Sequence, residues 1–157
     1  MSDGAVLPCV VLDTGIVLAA AFNPVGVAMQ TVRCMERGEI RVVMSNRLRA
    51  EYEAILAHPA HQTRFAHITG EYVALQLDRL DNHAERVPNP PIVVPYPRDV
   101  NDEPIVNLLI AANADFLVTL DKDMIALPDY PPFAERMPRI QILRPGAFLT
   151  EMERRRE

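Results

Sequence analysis

Two short runs of only apolar residues, Cys9–Leu12 and Phe116–Val118, constrain the fold of this chain more than any other feature. A continuous apolar run of this length is typical of a strand that is covered on both faces in a parallel sheet. Residues 40–44 and 140–143 have a similar pattern. The sequence therefore predicts at least four buried strands.

Helical spacing of apolar residues fills the segments between these strands. Asn23 followed by Pro24 predicts the start of a helix that ends near Gly38. Ser45 is predicted to cap a second helix, which Pro59 closes. The other predicted segments are one or two amphipathic helices over residues 60–86, an extended proline-rich crossing over 87–99, a helix capped by Asp102, and a terminal helix opened by Pro145. Strands that alternate with helices predict one domain over residues 1–157, built as a three-layer α/β/α sandwich with a mostly parallel central sheet.

The net charge of −5 argues against a general attraction to nucleic acid or to an anionic membrane surface. Any polyanionic substrate must therefore be held by local arginines or by a metal ion. Cys9 and Cys34 are the two cysteines and form no CxxC motif, which favours a reduced, cytoplasmic environment. The apolar stretch over residues 5–22 is interrupted by Pro8 and Asp13 and has no basic segment before it, so neither a signal peptide nor a membrane span is expected.

Carboxylates lie at or shortly after the ends of the two most apolar strands. Asp13 comes after the first and Asp121 after the second. Glu51 borders the apolar face of its predicted helix, and Asp102 and Glu103 stand at the start of the helix that leads into FLVTLD. Because functional groups of parallel α/β folds gather at the carboxyl ends of the strands, these acids are expected to meet at one edge of the sheet.

Several carboxylates at one edge would repel one another and raise one another's pKa values. A hard divalent cation relieves this repulsion, and Mg²⁺ or Mn²⁺ fits a set of oxygen ligands. Zinc at His58, His61 and His67 is a weaker alternative, because His58 and His61 lie on either side of Pro59 and no cysteine joins them. The sequence thus favours a magnesium or manganese site made of carboxylates.

The stretches that carry these acids resemble the PIN domain family, and within it the VapC-related toxins of prokaryotic toxin–antitoxin pairs. The resemblance runs from VVLDTGIVLAA through NRLRAEYEAIL and RDVNDEP to ANADFLVTLDKDMIAL, and the last stretch is the most specific. It implies a Mg²⁺- or Mn²⁺-dependent ribonuclease, in which a metal-activated water hydrolyses a phosphodiester of RNA. It also implies an antitoxin partner and a homodimer.

The resemblance further implies roles for individual residues. The implied catalytic acids are Asp13, Glu51, Glu103 and Asp121, and the implied metal ligands are these four together with Asp102 and the auxiliary acid Asp123. Thr119 is implied as a supporting hydroxyl. Gly15 departs from the family's usual D-T-N, and Glu103 stands where the family usually has an aspartate, so Asp102 is an alternative third acid.

Two other functions compete with a ribonuclease. A phosphatase of the haloacid dehalogenase type also begins with an apolar strand that ends in aspartate, but it needs a second acid at position 15, where this chain has Gly15. A PIN fold that has lost catalysis and acts as a binding module is the second alternative, which the departures at Gly15 and Glu103 leave open.

Overall fold

The computed structural model describes residues 6–96 and 98–157 and contains a five-stranded sheet. The strands are β1 (Cys9–Leu12), β2 (Arg41–Ser45), β3 (Glu85–Val87), β4 (Phe116–Val118) and β5 (Gln141–Leu143). They run in the order β3-β2-β1-β4-β5, and every neighbouring pair is parallel. The two apolar runs are the adjacent central strands β1 and β4, which are buried along their whole length.

Helices flank this sheet and confirm the predicted α/β/α sandwich. They are α1 (Thr14–Phe22), α2 (Val27–Glu36), α3 (Asn46–Leu56), α4 (Pro59–Arg64), α5 (Gly70–His83), α6 (Glu103–Ala112), α7 (Lys122–Ile125), α8 (Pro131–Arg136) and α9 (Pro145–Arg156), with a 3-10 turn over Leu127–Asp129. Helix α1 packs against α2 and α3, and α2 packs against α9.

The first helical region differs from the prediction. Helix α1 was not expected, because its residues continue the apolar run of β1. The helix predicted from Asn23 begins only at Val27, with Gly26 at its N-cap. Asn23 instead ends α1, and its Oδ1 accepts a hydrogen bond from the backbone N–H of Val25 at 3.3 Å. A residue suited to an N-cap is thus used to hold the turn between two helices.

The middle of the chain confirms part of the prediction. Ser45 caps α3, and its Oγ accepts from the N–H of Leu48 at 3.0 Å. Helix α3 ends at Leu56, but Pro59 opens α4 rather than closing α3. The segment over residues 60–86 contributes α5, as expected, and also most of the short strand β3, which its polar sequence did not indicate.

The proline-rich segment crosses from β3 to α6 without regular structure in its described residues, and Pro97 lies outside them. Its conformation depends on Asn107 of α6, which is 1% exposed. The Oδ1 atom of Asn107 accepts from the N–H groups of Val93 and Val94 at 2.8 and 2.9 Å, and its Nδ2 donates to the carbonyl of Val94 at 2.9 Å. A single buried amide therefore fixes the approach of the chain to α6.

Among the described residues, no single helix has the length and apolar character of a membrane span. Helices α1 and α2 reach them only as a consecutive pair, which is bent by 106°.

Candidate active site

Asp13 lies at the carboxyl end of β1 and begins α1. Its Oδ1 accepts from the N–H of Thr14 at 2.9 Å, and its Oδ2 accepts from the hydroxyl of Thr119 at 2.6 Å. Its backbone N–H donates to the carbonyl of Val118 at 3.0 Å. Burial raises the pKa of Asp13 above its usual range, the hydrogen bonds from Thr119 and Thr14 oppose this rise, and the charge of Asp121 adds to it.

Thr119 joins Asp13 to Asp121. Its side chain is fully buried after β4, donates to Asp13, and accepts from the backbone N–H of Asp121 at 3.0 Å. Asp121 in turn caps α7, because its Oδ1 accepts from the N–H of Asp123 at 2.8 Å. One hydroxyl thus holds the acids that follow the two central strands, which is the supporting position that the resemblance implied for Thr119.

Glu51 approaches Asp13 from α3. Burial raises the pKa of Glu51, Arg47 at 3.7 Å lowers it, and the charge of Asp13 raises it again. Beneath both acids lies Tyr52, which is fully buried and donates its hydroxyl to the carbonyl of Leu12 at 2.5 Å. Sequence analysis did not single out Tyr52 for the site, since its spacing indicated only a core position. The contact anchors α3 to the end of β1.

Asp102 is the acid of α6 that faces the same edge. Burial and the charges of Asp99, Asp13 and Asp121 raise the pKa of Asp102 to about 6. Asp102 occupies the N-cap position of α6, as predicted, but its side chain makes no cap hydrogen bond. Its carboxylate instead interacts with Asp99 and lies within electrostatic reach of Asp13 and Asp121. Asp99, which sequence analysis did not select, lies in the same RDVNDEP stretch and could have been found there.

Glu103 is directed elsewhere. Its Oε2 accepts from the backbone N–H of Tyr96 at 2.9 Å, so its carboxylate holds the end of the proline-rich crossing. Of the two acids that open α6, the structure brings Asp102 to the edge where the other acids meet.

Arginines flank these acids. Arg98 Nη2 lies 3.4 Å from Asp123 Oδ1, and both side chains are about half exposed. Arg144 Nη1 donates to the carbonyl of Leu120 at 3.0 Å, directly before Asp121. Asp123 is therefore placed outside the group of mutually interacting acids, in contact with a cation. The flanking guanidinium groups give an acidic edge local positive charge at its sides.

The residues at this edge suit a divalent cation by their chemistry. We call Asp13, Glu51, Asp102 and Asp121 the acidic edge. Its donors are all carboxylate oxygens, which hard cations such as Mg²⁺ and Mn²⁺ prefer. Burial and the charges of neighbouring acids raise the pKa values of Asp13, Glu51 and Asp102, and Arg47 partly offsets the rise at Glu51. In residues 6–96 and 98–157, no three His, Cys, Asp or Glu side chains are close enough to form a ready ligand set, so the side chains would have to close on a cation.

The histidines and Gly15 lie in the surroundings of the acidic edge. The histidines lie in an aromatic group near the end of α1, where His61 packs edge-on against Phe22 and His67 Nε2 lies 2.9 Å from the carbonyl of Ala21. At Gly15, an added Cβ would meet nothing within 4 Å. The side chain that the family usually carries there is therefore missing for no reason of space.

Known proteins resemble this chain both in sequence and in fold. A sequence model of the PIN domain family matches residues 9–123. The sequence matches no curated protein at a significant level. Among solved structures, the fold is similar to a chain of the VapBC2 complex from Rickettsia felis bound to a DNA fragment from its promoter. The two chains are 15% identical with a TM-score of 0.52, and the match covers 85% of this chain and 96% of that chain, so the likeness concerns the fold.

Proposed function

Because this chain belongs to the PIN domain family, we propose that it is a Mg²⁺- or Mn²⁺-dependent ribonuclease and the toxin of a toxin–antitoxin module. PIN domains are generally nucleases. The observation that carries the proposal is the convergence of four carboxylates at one edge of the sheet, where burial and the charges of neighbouring acids raise the pKa of three of them. Clustered, perturbed acids of this kind are typical of functional sites.

A bound divalent cation would supply a water of lowered pKa and would shield the phosphate oxygens of RNA. Asp13 and Asp121 would hold that cation, and Thr119 fixes both of them through its hydroxyl and accepted N–H. Glu51 and Asp102 complete the donor set from α3 and α6. Such pre-organised positioning and charge supply most of the rate increase in phosphodiester hydrolysis.

We assign the third acidic position to Asp102 rather than to Glu103. Asp102 interacts with Asp13 and Asp121, whereas the carboxylate of Glu103 is bound to the backbone of Tyr96. The sequence left these two positions open, and Glu103 aligned better with the family's motif. The contacts of the two side chains instead favour Asp102.

The toxin role is supported by the fold shared with a chain of the VapBC2 complex. By the same likeness we propose an antitoxin as protein partner, and from the family resemblance a homodimer. RNA is the proposed substrate, and the cytoplasm is the proposed location. The arginines at the sides of the acidic edge would bind phosphates next to the one that is cut, which allows a chain of net charge −5 to hold a polyanion.

Cleavage of a 5′-labelled single-stranded RNA by the purified protein tests this proposal. We expect cleavage in millimolar Mn²⁺, none in a chelator, and none by Asp13→Asn in either condition. Cleavage that is the same with the chelator, or that is unchanged in Asp13→Asn, would show that a contaminant or another site is responsible. Metal-dependent binding of RNA without cleavage would instead support the alternative of a catalytically weakened binding module.

A further inference from the structure

A cleft of about 390 Å³ opens beside the acidic edge and takes no part in the function described so far. It is lined by Tyr96, Arg98, Ala126, Leu127, Asp129 and Tyr130. The first two belong to the end of the proline-rich crossing, and the others belong to the turn that follows α7. Its volume falls within the range of small-molecule sites, about 300–1,000 Å³.

The cleft adjoins the acids rather than a remote surface. Arg98, in its wall, contacts Asp123, and the backbone of Tyr96 is bound by Glu103. Burial raises the pKa of the Tyr96 hydroxyl, Arg98 lowers it, and the charges of Asp102 and Asp123 raise it again, so the hydroxyl lies within their electrostatic reach. The cleft therefore lies beside Asp102 and Asp123.

The walls carry three different kinds of recognition group. Tyr130 packs edge-on against Tyr96 with ring centroids 5.6 Å apart, and its hydroxyl donates to the carbonyl of Pro95 at 2.6 Å, which fixes the ring. Aromatic faces of this kind stack on nucleobases. Arg98 supplies a cation for a phosphate, and Leu127 and Ala126 supply an apolar surface.

Asp129 is the acidic residue in the wall of the cleft. It is exposed, and among the described residues its carboxylate takes part in no hydrogen bond or ion pair. An ionised carboxylate only accepts hydrogen bonds, so it favours a base edge that donates them. Guanine offers two donors side by side, N1–H and the N2 amino group, whereas adenine and cytosine offer an amino group beside an acceptor, and uracil offers one N–H between two carbonyls.

We propose that this cleft binds the base of a nucleotide next to the scissile phosphate, and that Asp129 makes guanine the preferred base. Tyr130 stacks on the base, and Arg98 binds the adjoining phosphate. The inference rests on the proposed ribonuclease function for the identity of its substrate, but base recognition by the cleft can be measured without cleavage.

The test uses labelled pentaribonucleotides UUGUU, UUAUU, UUCUU and UUUUU, with binding measured by fluorescence anisotropy in a chelator that prevents cleavage. Wild type should bind UUGUU about tenfold more tightly than UUUUU. Asp129→Asn should reduce this ratio to about twofold or less, and Tyr130→Leu should weaken binding of all four by about tenfold. The matched control is Asp78→Asn, an exposed carboxylate on α5 outside the cleft, which should keep the wild-type ratio. Thermal melts confirm that each variant is folded.

Mapping of cleavage positions in Mn²⁺ separates failure of this inference from failure of the proposed function. Cleavage by wild type without a guanine preference in the binding assay, or with a preference that Asp129→Asn retains, would overturn the inference and leave the ribonuclease intact. A guanine preference that depends on Asp129 in a protein that cuts no RNA would uphold the inference and refute the proposed function. Absence of binding to every pentaribonucleotide would overturn the inference.

Discussion

Asp81 is an exposed carboxylate on α5 and Asp102 is a half-buried one at the acidic edge, and their pKa values shift in opposite directions. Arg49 holds Asp81 through two hydrogen bonds of 2.8 Å, and Arg86 adds a third of 2.9 Å, so the pKa of Asp81 falls below its usual range. Burial and neighbouring acids raise that of Asp102 to about 6. The same side chain is thus stabilised as an anion in one place and destabilised in the other.

Uncompensated negative charge is thus concentrated at the acidic edge of this fold. Asp81 has cationic partners that belong to the structure itself, so its charge contributes to folding. Asp13 and Asp121 are oriented by neutral groups, such as the hydroxyl of Thr119 at Asp13, which fix direction without cancelling charge, whereas Arg47 partly compensates Glu51. Uncompensated charge of this kind costs stability and is typical of a site that waits for a ligand.

The largest expected effect is loss of cleavage at the acidic edge. Asp13→Asn and Asp121→Asn should each lower the rate of RNA cleavage by a factor on the order of 10³, since each removes charge from the group that would hold the cation. Asp81→Asn is the matched control and should cut RNA at close to the wild-type rate. A purified Asp13→Asn or Asp121→Asn variant with near-wild-type rates would remove the distinction between the two places.

A second experiment separates the two acids that open α6. Asp102→Asn should lower the cleavage rate by about 100-fold, because its carboxylate faces Asp13 and Asp121. Glu103→Gln keeps an oxygen that can accept from the N–H of Tyr96 and should stay within about threefold of wild type. The reverse result in initial-rate assays would place Glu103 at the third position, as the alignment with the family's motif suggested.

Metal binding should appear as thermal stabilisation. A ligand at a hundredfold excess over its dissociation constant stabilises the folded state by about 2.7 kcal/mol. Millimolar Mn²⁺ should therefore raise the Tm of wild type by about 5–10 °C. Asp81→Asn should gain as much, and Asp13→Asn should gain less. Equal Mn²⁺ shifts in wild type and Asp13→Asn, measured by calorimetry, would show that Asp13 is not a ligand.

The smallest effects are opposite changes of stability without metal. A raised folded-state pKa makes the ionised Asp102 unfavourable, and this penalty is absent below about pH 4 and complete above about pH 6. At pH 7 the free energy of unfolding of Asp102→Asn should thus exceed that of wild type by about 1 kcal/mol, after allowance for solvent screening. The Tm of the variant should be about 2–4 °C higher. The difference should vanish by about pH 4.

Asp81→Asn should change stability in the other direction. The lowered pKa of Asp81 contributes stability above its unfolded-state pKa of about 4, which is lost as the pH falls through the folded-state value. At pH 7 this variant should melt lower than wild type by a similar 2–4 °C, again after allowance for screening. Thermal melts of both variants at pH 4 and pH 7 check the signs, and two shifts of the same sign would contradict the comparison.

The central strands, their parallel arrangement and the family could be predicted from the amino-acid sequence. Apolar runs such as Cys9–Leu12 are buried on both faces, and this constraint can be recognised in the residues themselves. The same is true of the cap at Ser45, whose hydroxyl reaches an N–H only three residues away. Asp13 and Asp121 come at most three residues after such strands, so they lie at the same edge, because parallel strands end at one edge.

The orientations of Asp102 and Glu103 could not be predicted from the sequence, because they depend on tertiary contacts. Whether Asp102 or Glu103 faces Asp13 depends on the proline-rich crossing. Asn107 of α6 holds this crossing by hydrogen bonds to its backbone. The backbone N–H of Tyr96, at the end of the crossing, donates to the carboxylate of Glu103. In the same way, α1 begins at Asp13 with an orientation set by Thr119, 106 residues further along the chain. Propensity and spacing describe near neighbours, whereas these side chains are oriented by partners that only the packed fold brings within hydrogen-bond distance.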